Sequence, residues 1–244
     1  MAAALAFQYV NTDSSAEVLG NTTLRGSNVR IDAVTADGDM DLVINEFIAW
    51  AASAAGGRGD FAFIGSAAIN VVDMVFKATT SPDSHVKAIN NLTVQAENDM
   101  NPQTLAAGAG FAGQSGSDVV GGSLSYVNVD LETRALLLGD ADAGASLSVL
   151  AETTISEVTT VVPEVNISIP FSTVAVSGSA SGGDTGVAGA LAINDFLVST
   201  HAKIGASSEI NQAADITDLS TQTVRVEADD TTSLTSMTGA LGIA

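Results

Sequence analysis

Val29-Arg30-Ile31-Asp32-Ala33, Leu92-Thr93-Val94-Gln95-Ala96, Leu147-Ser148-Val149-Leu150-Ala151 and Val224-Arg225-Val226-Glu227-Ala228 are four versions of one pattern. Each places aliphatic residues at every second position and closes on Ala. Successive side chains of a β-strand point to opposite faces. Val29, Ile31 and Ala33 are therefore expected to face a core while Arg30 and Asp32 meet water, and Val224, Val226 and Ala228 divide in the same way from Arg225 and Glu227. The closing Ala suits a place where a tapering core narrows towards a corner.

Two further landmarks keep step with this strand. An apolar opening precedes it as Ala4-Leu5-Ala6-Phe7, Ala68-Ile69-Asn70-Val71, Ser123-Leu124-Ser125-Tyr126 and Ala190-Leu191-Ala192-Ile193. Gly239-Ala240-Leu241-Gly242-Ile243 reads as a fifth opening cut short. Taking the Leu or Ile as marker, the openings lie 64, 55, 67 and 50 residues apart. A turn with Gly follows by 14 or 15 residues at Val18-Leu19-Gly20, Leu137-Leu138-Gly139 and Lys203-Ile204-Gly205. The second repeat departs, with Ser84-His85-Val86 near that place and no Gly.

Three landmarks in a constant order identify an internal repeat, the signature of stacked architectures. The expectation is an all-β chain folded as one parallel β-helix, a solenoid over residues 1–244. Its imperfect repeats span about 1–64, 65–120, 121–186 and 187–238, with a fifth beginning at 239–244. A unit of this length suits two or three coils of roughly 20 residues each. A β-propeller is the competing architecture, since a blade takes about 40–50 residues. The periodic aromatic motifs of blades are missing, however, and uneven spacing fits an open stack better than a closed ring. Between strand and next opening lies a variable stretch. In the first repeat it holds Asp37-Gly38-Asp39-Met40-Asp41 and then Leu42 to Ala55, which reads as a short helix containing the single Trp50. In the third, Val161 to Phe171 alternates like another strand with Pro163 and Pro170 at its ends, where proline is tolerated.

Composition agrees. Hydrophobic residues make up 46% but aromatics only 5%, so the apolar content is small and β-branched, suited to narrow stacked layers. The net charge of −20, with 28 acids against 8 Lys plus Arg, opposes binding to nucleic acid or anionic membranes, which needs clustered cations. The absence of cysteine argues against a disulfide framework or thiolate metal site. The start MAAALAF has no charged leader, and the most apolar stretch, Phe47 to Ala55, is too short to span a bilayer. The chain accordingly reads as a piece of something longer, with any export signal outside it.

The opening Ala190-Leu191-Ala192-Ile193-Asn194, the turn Ala202-Lys203-Ile204-Gly205 and the strand Val224 to Ala228 resemble the repeats of giant bacterial surface proteins, the leukotoxin-like and haemagglutinin-like filamentous adhesins. The resemblance covers essentially the whole chain; it is specific in pattern and weak in individual residues. It implies a right-handed β-helix shaft, an extracellular or cell-surface location and a structural or adhesive role in a fibre. The fifth repeat, cut short, is expected to leave an open parallel end that invites another strand, so the expected partners are further copies joined end to end or a ligand on a host or neighbouring cell. The resemblance carries no catalytic residues over.

Candidate sites are few. Arg58-Gly59-Asp60, within the loop Gly56 to Phe61, matches an integrin-type recognition string, in which the Asp carboxylate coordinates a receptor metal. The competing reading is a turn whose composition yields the string by itself. Asp37, Asp39 and Asp41 resemble the start of a calcium loop, but the twelve-residue pattern fails and a solvated acidic turn is the alternative. No other cofactor is expected. His85 and His201 lack partners at ligand or triad spacing and read as surface residues. Glycan-cleaving β-helices need carboxylate pairs in an aromatic-lined groove. With few rings and no nucleophile or nucleotide motif, the chain is expected not to be an enzyme, and polysaccharide binding or cleavage is the alternative function.

Overall fold

The computed structural model describes residues 1–35, 46–57, 61–113, 118–156, 158–162, 167–182, 185–213 and 222–243. Among them the secondary structure is all β, without a helix, and the main sheets are parallel. A first pass of the chain forms β1 (Ala2–Val18), β2 (Thr23–Gly26), β3 (Val29–Val34) and β4 (Glu46–Gly57). The second forms β5 (Phe61–Thr80), β6 (His85–Ala88) and the long β7 (Asn91–Ala112), which occupies the places of both β3 and β4. The third forms β8 (Asp118–Leu137), β9 (Asp140–Ala143), β10 (Ser146–Ile155), an inserted pair β11 (Val158–Val162) and β12 (Ile167–Phe171), and β13 (Thr173–Ser181). The fourth forms β14 (Thr185–Ile204), β15 (Thr223–Thr232) and β16 (Ser236–Ile243).

Each pass lays its strands beside those of the pass before. One sheet has the order β1-β5-β8-β14. The opposing sheet has the order β15-β10-β7-β13-β16, with β3 and β4 on β7, and a narrow sheet β2-β6-β9 bridges the two at one edge. The four alternating segments fall into one rung: Val29 and Leu147 both pair with Leu92, and Val224 pairs with Leu147. Val29, Ile31 and Ala33 are buried and Arg30 is exposed, as the alternation requires.

In other places the structure departs from the sequence reading. Each repeat supplies one pass, not two or three coils, because a single sheet-one strand consumes 17 to 20 residues. Leu5 pairs with Ala67, not with Ile69, which instead lies beside Phe7 and Tyr126. The true offsets are 62, 57 and 67 residues. The expected helix ending at Ala55 is, over its described part, strand β4, where Ile48 and Trp50 point out and Ala49 and Ala51 are buried. That is a period of two, hidden in the sequence because Ala serves both faces. The terminal Gly239-Ala240-Leu241-Gly242-Ile243 does not align with the openings; it lies in β16 and pairs with Val176 to Ala180 of the opposing sheet. The closing Ala marks no corner, since β7 runs on past Ala96 and β10 past Ala151. Val224 lies inward by register yet is 51% exposed, because β15 ends its sheet. The stretch ending at Phe171 is half of an antiparallel hairpin in which Pro170 is the penultimate residue of β12. In the second pass the missing Gly is replaced by Ser81-Pro82-Asp83-Ser84, closed by Ser84 N–H to Ser81 C=O at 3.0 Å.

The space between the sheets is a wedge. At its thick end Val72, Met74 and Phe76 of β5 and Val129 and Leu131 of β8 pack on Leu92, Val94, Leu147 and Val149. Towards the thin end most facing residues are Ala, Ser, Thr and Gly, with Ala51, Ala68 and Ala106 in contact, and Ile64 and Val119 pack with Ala112 beyond them. Here Ser125 Oγ donates to Thr104 Oγ1 at 2.6 Å and Ser123 Oγ to the Val176 carbonyl at 2.6 Å, joining the layers by hydrogen bonds. A methyl group on Gly242 would fall 2.4 Å from the Gly186 carbonyl oxygen. The sheets thus approach far closer than the ~10 Å usual for sheets with larger side chains.

Candidate interaction surfaces

Because sheet one is in register, its outward side chains form rows across the strands. The row Ala3, Gly65, Gly122 and Gly189 makes the floor of an open groove of about 620 Å³. Phe63 stands on one side, and Leu5, Leu124 and Leu191 on the other. Leu5 is 72% exposed and Leu191 53%, and Phe7, Tyr9, Phe61 and Ile193 are exposed beside them. Five rings in a chain poor in aromatics, counting half-buried Tyr126, therefore share one half of one face. The opposing sheet also has an apolar outer surface over the thin end, with Trp50, Phe111, Met237 and Leu241 exposed. Trp50 is fixed by its indole N–H, which donates to Gln103 Oε1 at 3.1 Å.

Further along sheet one the outward rows become polar. Lys77 Nζ meets Glu17 at 3.0 Å, Asn11 donates to Asp73 at 3.3 Å and Asn128 to Asp195 at 3.3 Å. Arg134 pairs with Glu132. The first three link neighbouring strands and the last lies within β8; each exposed pair contributes at most about 1 kcal/mol. Asp99, on β7 in the opposing sheet, is partly buried, and burial pushes its carboxyl above the usual 3.8.

The narrow sheet carries a grouping that the sequence did not reveal. His85 Nε2 lies 2.8 Å from Asp142 Oδ2, and the other carboxylate oxygen accepts the Ala213 N–H at 3.0 Å. Asp142 is almost fully buried. Asp140 accepts the Glu209 N–H at 2.8 Å, and these groups line a cleft of about 180 Å³. The pairing of β6 with β9 brings His85 and Asp142 together across 57 residues, beyond any local spacing rule. His201 sits on the outer surface of β14, exposed, in the row of Arg134. Asp37, Asp39 and Asp41, and likewise Arg58, Gly59 and Asp60, lie outside the described residues. Among the described residues no group of three or more His, Asp or Glu side chains is disposed to hold a metal ion, and no helix is long and apolar enough to cross a membrane.

Comparison of the chain with protein-family models, with curated proteins and with solved structures finds no match.

Proposed function

We propose that this chain is a segment of a right-handed parallel β-helix that serves as a structural and adhesive element of a secreted bacterial surface fibre. The observation that carries the reading is the fourfold in-register succession of Leu5, Ala67, Leu124 and Leu191, matched on the opposing sheet by Val29, Leu92, Leu147 and Val224. A right-handed sense follows the general rule for parallel crossovers. Stability in such a stack passes between neighbouring coils, and the excess of acids keeps a long assembly soluble. The apolar, ring-bearing half of sheet one is the adhesive surface, since an exposed patch of this kind marks an interaction site. The test is attachment of cells to a surface coated with the purified chain. Phe7→Ser combined with Phe63→Ser should reduce attachment several-fold while far-UV circular dichroism stays β-rich; unchanged attachment would refute the assignment of the adhesive face.

A second reading is favoured by the same rings. Phe7, Tyr9, Phe61 and Phe63 are exposed on one face of sheet one, where sugar rings could stack on them, so a polysaccharide is the alternative ligand. Co-sedimentation with insoluble polysaccharides, lost in the same double variant, would select this reading over cell adhesion through protein.

A further inference from the structure

Both long sheets end on strands with an unpaired edge. Among the described residues nothing pairs with the outer side of β1 or of β14, and the same holds for β15 and β16. Natural edge strands are blunted by proline, lysine or bulges. β1 has no Pro, Lys or Arg in 17 residues, and β14 has a single Lys and no Pro in 20. The terminal passes also leave core side chains half covered: Val10, Ala16 and Val18 at one end, Phe196, Val198 and Ile204 at the other.

From these edges we infer that copies of this chain stack head to tail in a single register, β1 of one copy continuing sheet one beyond β14 of the next, with Leu5 beside Leu191. The inference rests on the stacked β-helix reading and adds to it the partner, a second copy, and the frame. Carrying the internal register one rung further places Ala188, Ala190 and Ala192 on Ala2, Ala4 and Ala6. It also seats Ile204 on Val18. A one-residue shift would turn every core side chain of the incoming strand to the outer face. A two-residue shift would move Leu5 off Leu191 and out of the register that the internal passes keep. In the inferred frame Lys203 of β14 falls directly opposite Glu17 of the incoming copy, the same carboxylate that Lys77, opposite Ser15, reaches diagonally inside the molecule at 3.0 Å. The narrow sheet is polarised in the same sense, with Arg25 at the β1 end and Asp140, Asp142 and Glu209 at the other. On the opposing sheet the frame sets Arg225 beside Arg30 and Glu227 beside Asp32. Each of these is paired within its own strand, so the like charges are partly offset. The contact is heterologous and does not close, so it propagates.

The chain has no cysteine, which makes the test clean. Leu5→Cys and Leu191→Cys are prepared as separate proteins, mixed, oxidised and run on a non-reducing gel. Rungs lie ~4.8 Å apart, so the two positions in one molecule are separated by roughly 14 Å, beyond the ~7 Å reach of a disulfide. The expected result is a covalent dimer from the mixture, several-fold more abundant than from either variant alone. Asp13→Cys mixed with Leu191→Cys should give none. A separate variant, Val71→Cys/Asn128→Cys, whose positions are one rung apart within the stack, should close an intramolecular bond. If that bond closes and no Leu5–Leu191 dimer appears, or both mixtures dimerise equally, the head-to-tail frame is overturned while the β-helix stands. If the intramolecular bond does not close, the stacked reading fails and the inference falls with it.

Discussion

Gly110 of β7 faces into the core, where Ile64 and Val119 of the facing sheet fill the space its missing side chain leaves. A methyl group there would lie 2.1 Å from Ile64 Cδ1 and 2.8 Å from Val119 Cγ1, both on fully buried side chains of the facing sheet. Contacts below 3 Å force something to move. Gly110→Ala would ordinarily stabilise a chain by about 0.4–1 kcal/mol through the unfolded state; here overpacking is expected to reverse the sign and cost about 1–3 kcal/mol. Ile64→Ala alone opens a cavity and should cost about 2–5 kcal/mol. Because the methyl at position 110 would occupy part of that cavity, Gly110→Ala/Ile64→Ala should be more stable than the sum of the single losses predicts, by about 1–3 kcal/mol. The assay is urea unfolding followed by far-UV circular dichroism on the parent, both single variants and the double variant. Additivity within about 0.5 kcal/mol, or a stabilising Gly110→Ala, would refute the packing of Ile64 over Gly110.

Leu131 and Leu191 lie on neighbouring strands of sheet one but point to opposite sides, so Leu131→Ala should cost about 2–5 kcal/mol and Leu191→Ala under about 1 kcal/mol in the same unfolding assay. Asp142→Ala removes the acceptor of both His85 and the Ala213 N–H, and is expected to lower stability by about 1–3 kcal/mol and to speed amide exchange at Ala213, read by hydrogen-exchange mass spectrometry. The carboxyl of Asp99, raised by burial, holds its proton more tightly folded than unfolded. Its contribution is therefore favourable in acid and is lost as pH climbs through 3.8 towards the raised folded value. Asp99→Asn should flatten that decline and stabilise the chain at neutral pH, as shown by melting temperature against pH.

The segment Val29 to Ala33 and its three counterparts were legible because one face is aliphatic and the other polar, so the strand period of two is written in the residues and fixes register. The openings were half legible. Leu5, Leu124 and Leu191 do share a row, but Ala67 stands in the second pass, and the more conspicuous Ile69 draws the alignment two residues astray. Strand β4 was misread for a related reason. Along β4 the inward positions after Phe47 are Ala49, Ala51, Ser53 and Ala55, and outward positions such as Ala52 and Ala54 are small as well, so Phe47 to Ala55 carries little contrast and suggests a helix. The His85–Asp142 pair was invisible because its distance along the chain is a property of the pass length, which no local motif encodes. That Phe7, Tyr9, Phe61 and Phe63 share one face was hidden likewise, since it follows from the pairing of β1 with β5, more than 50 residues on.

The central claim is the register of one pass upon the next, and engineered disulfides between β5 and β8 test it most directly. Alignment by sequence landmarks would set Ile69 beside Leu124, whereas the structure sets it beside Tyr126. Only directly opposed residues come within disulfide reach, about 4.4–6.8 Å between Cα atoms. Mild oxidation of the Ile69→Cys/Tyr126→Cys variant is expected to give a rapid, complete intramolecular bond, and that of Ile69→Cys/Leu124→Cys a slow and partial one. Preferential closure of the second pair would contradict the register on which the fold, the proposed adhesive face and the proposed stacking of copies all depend.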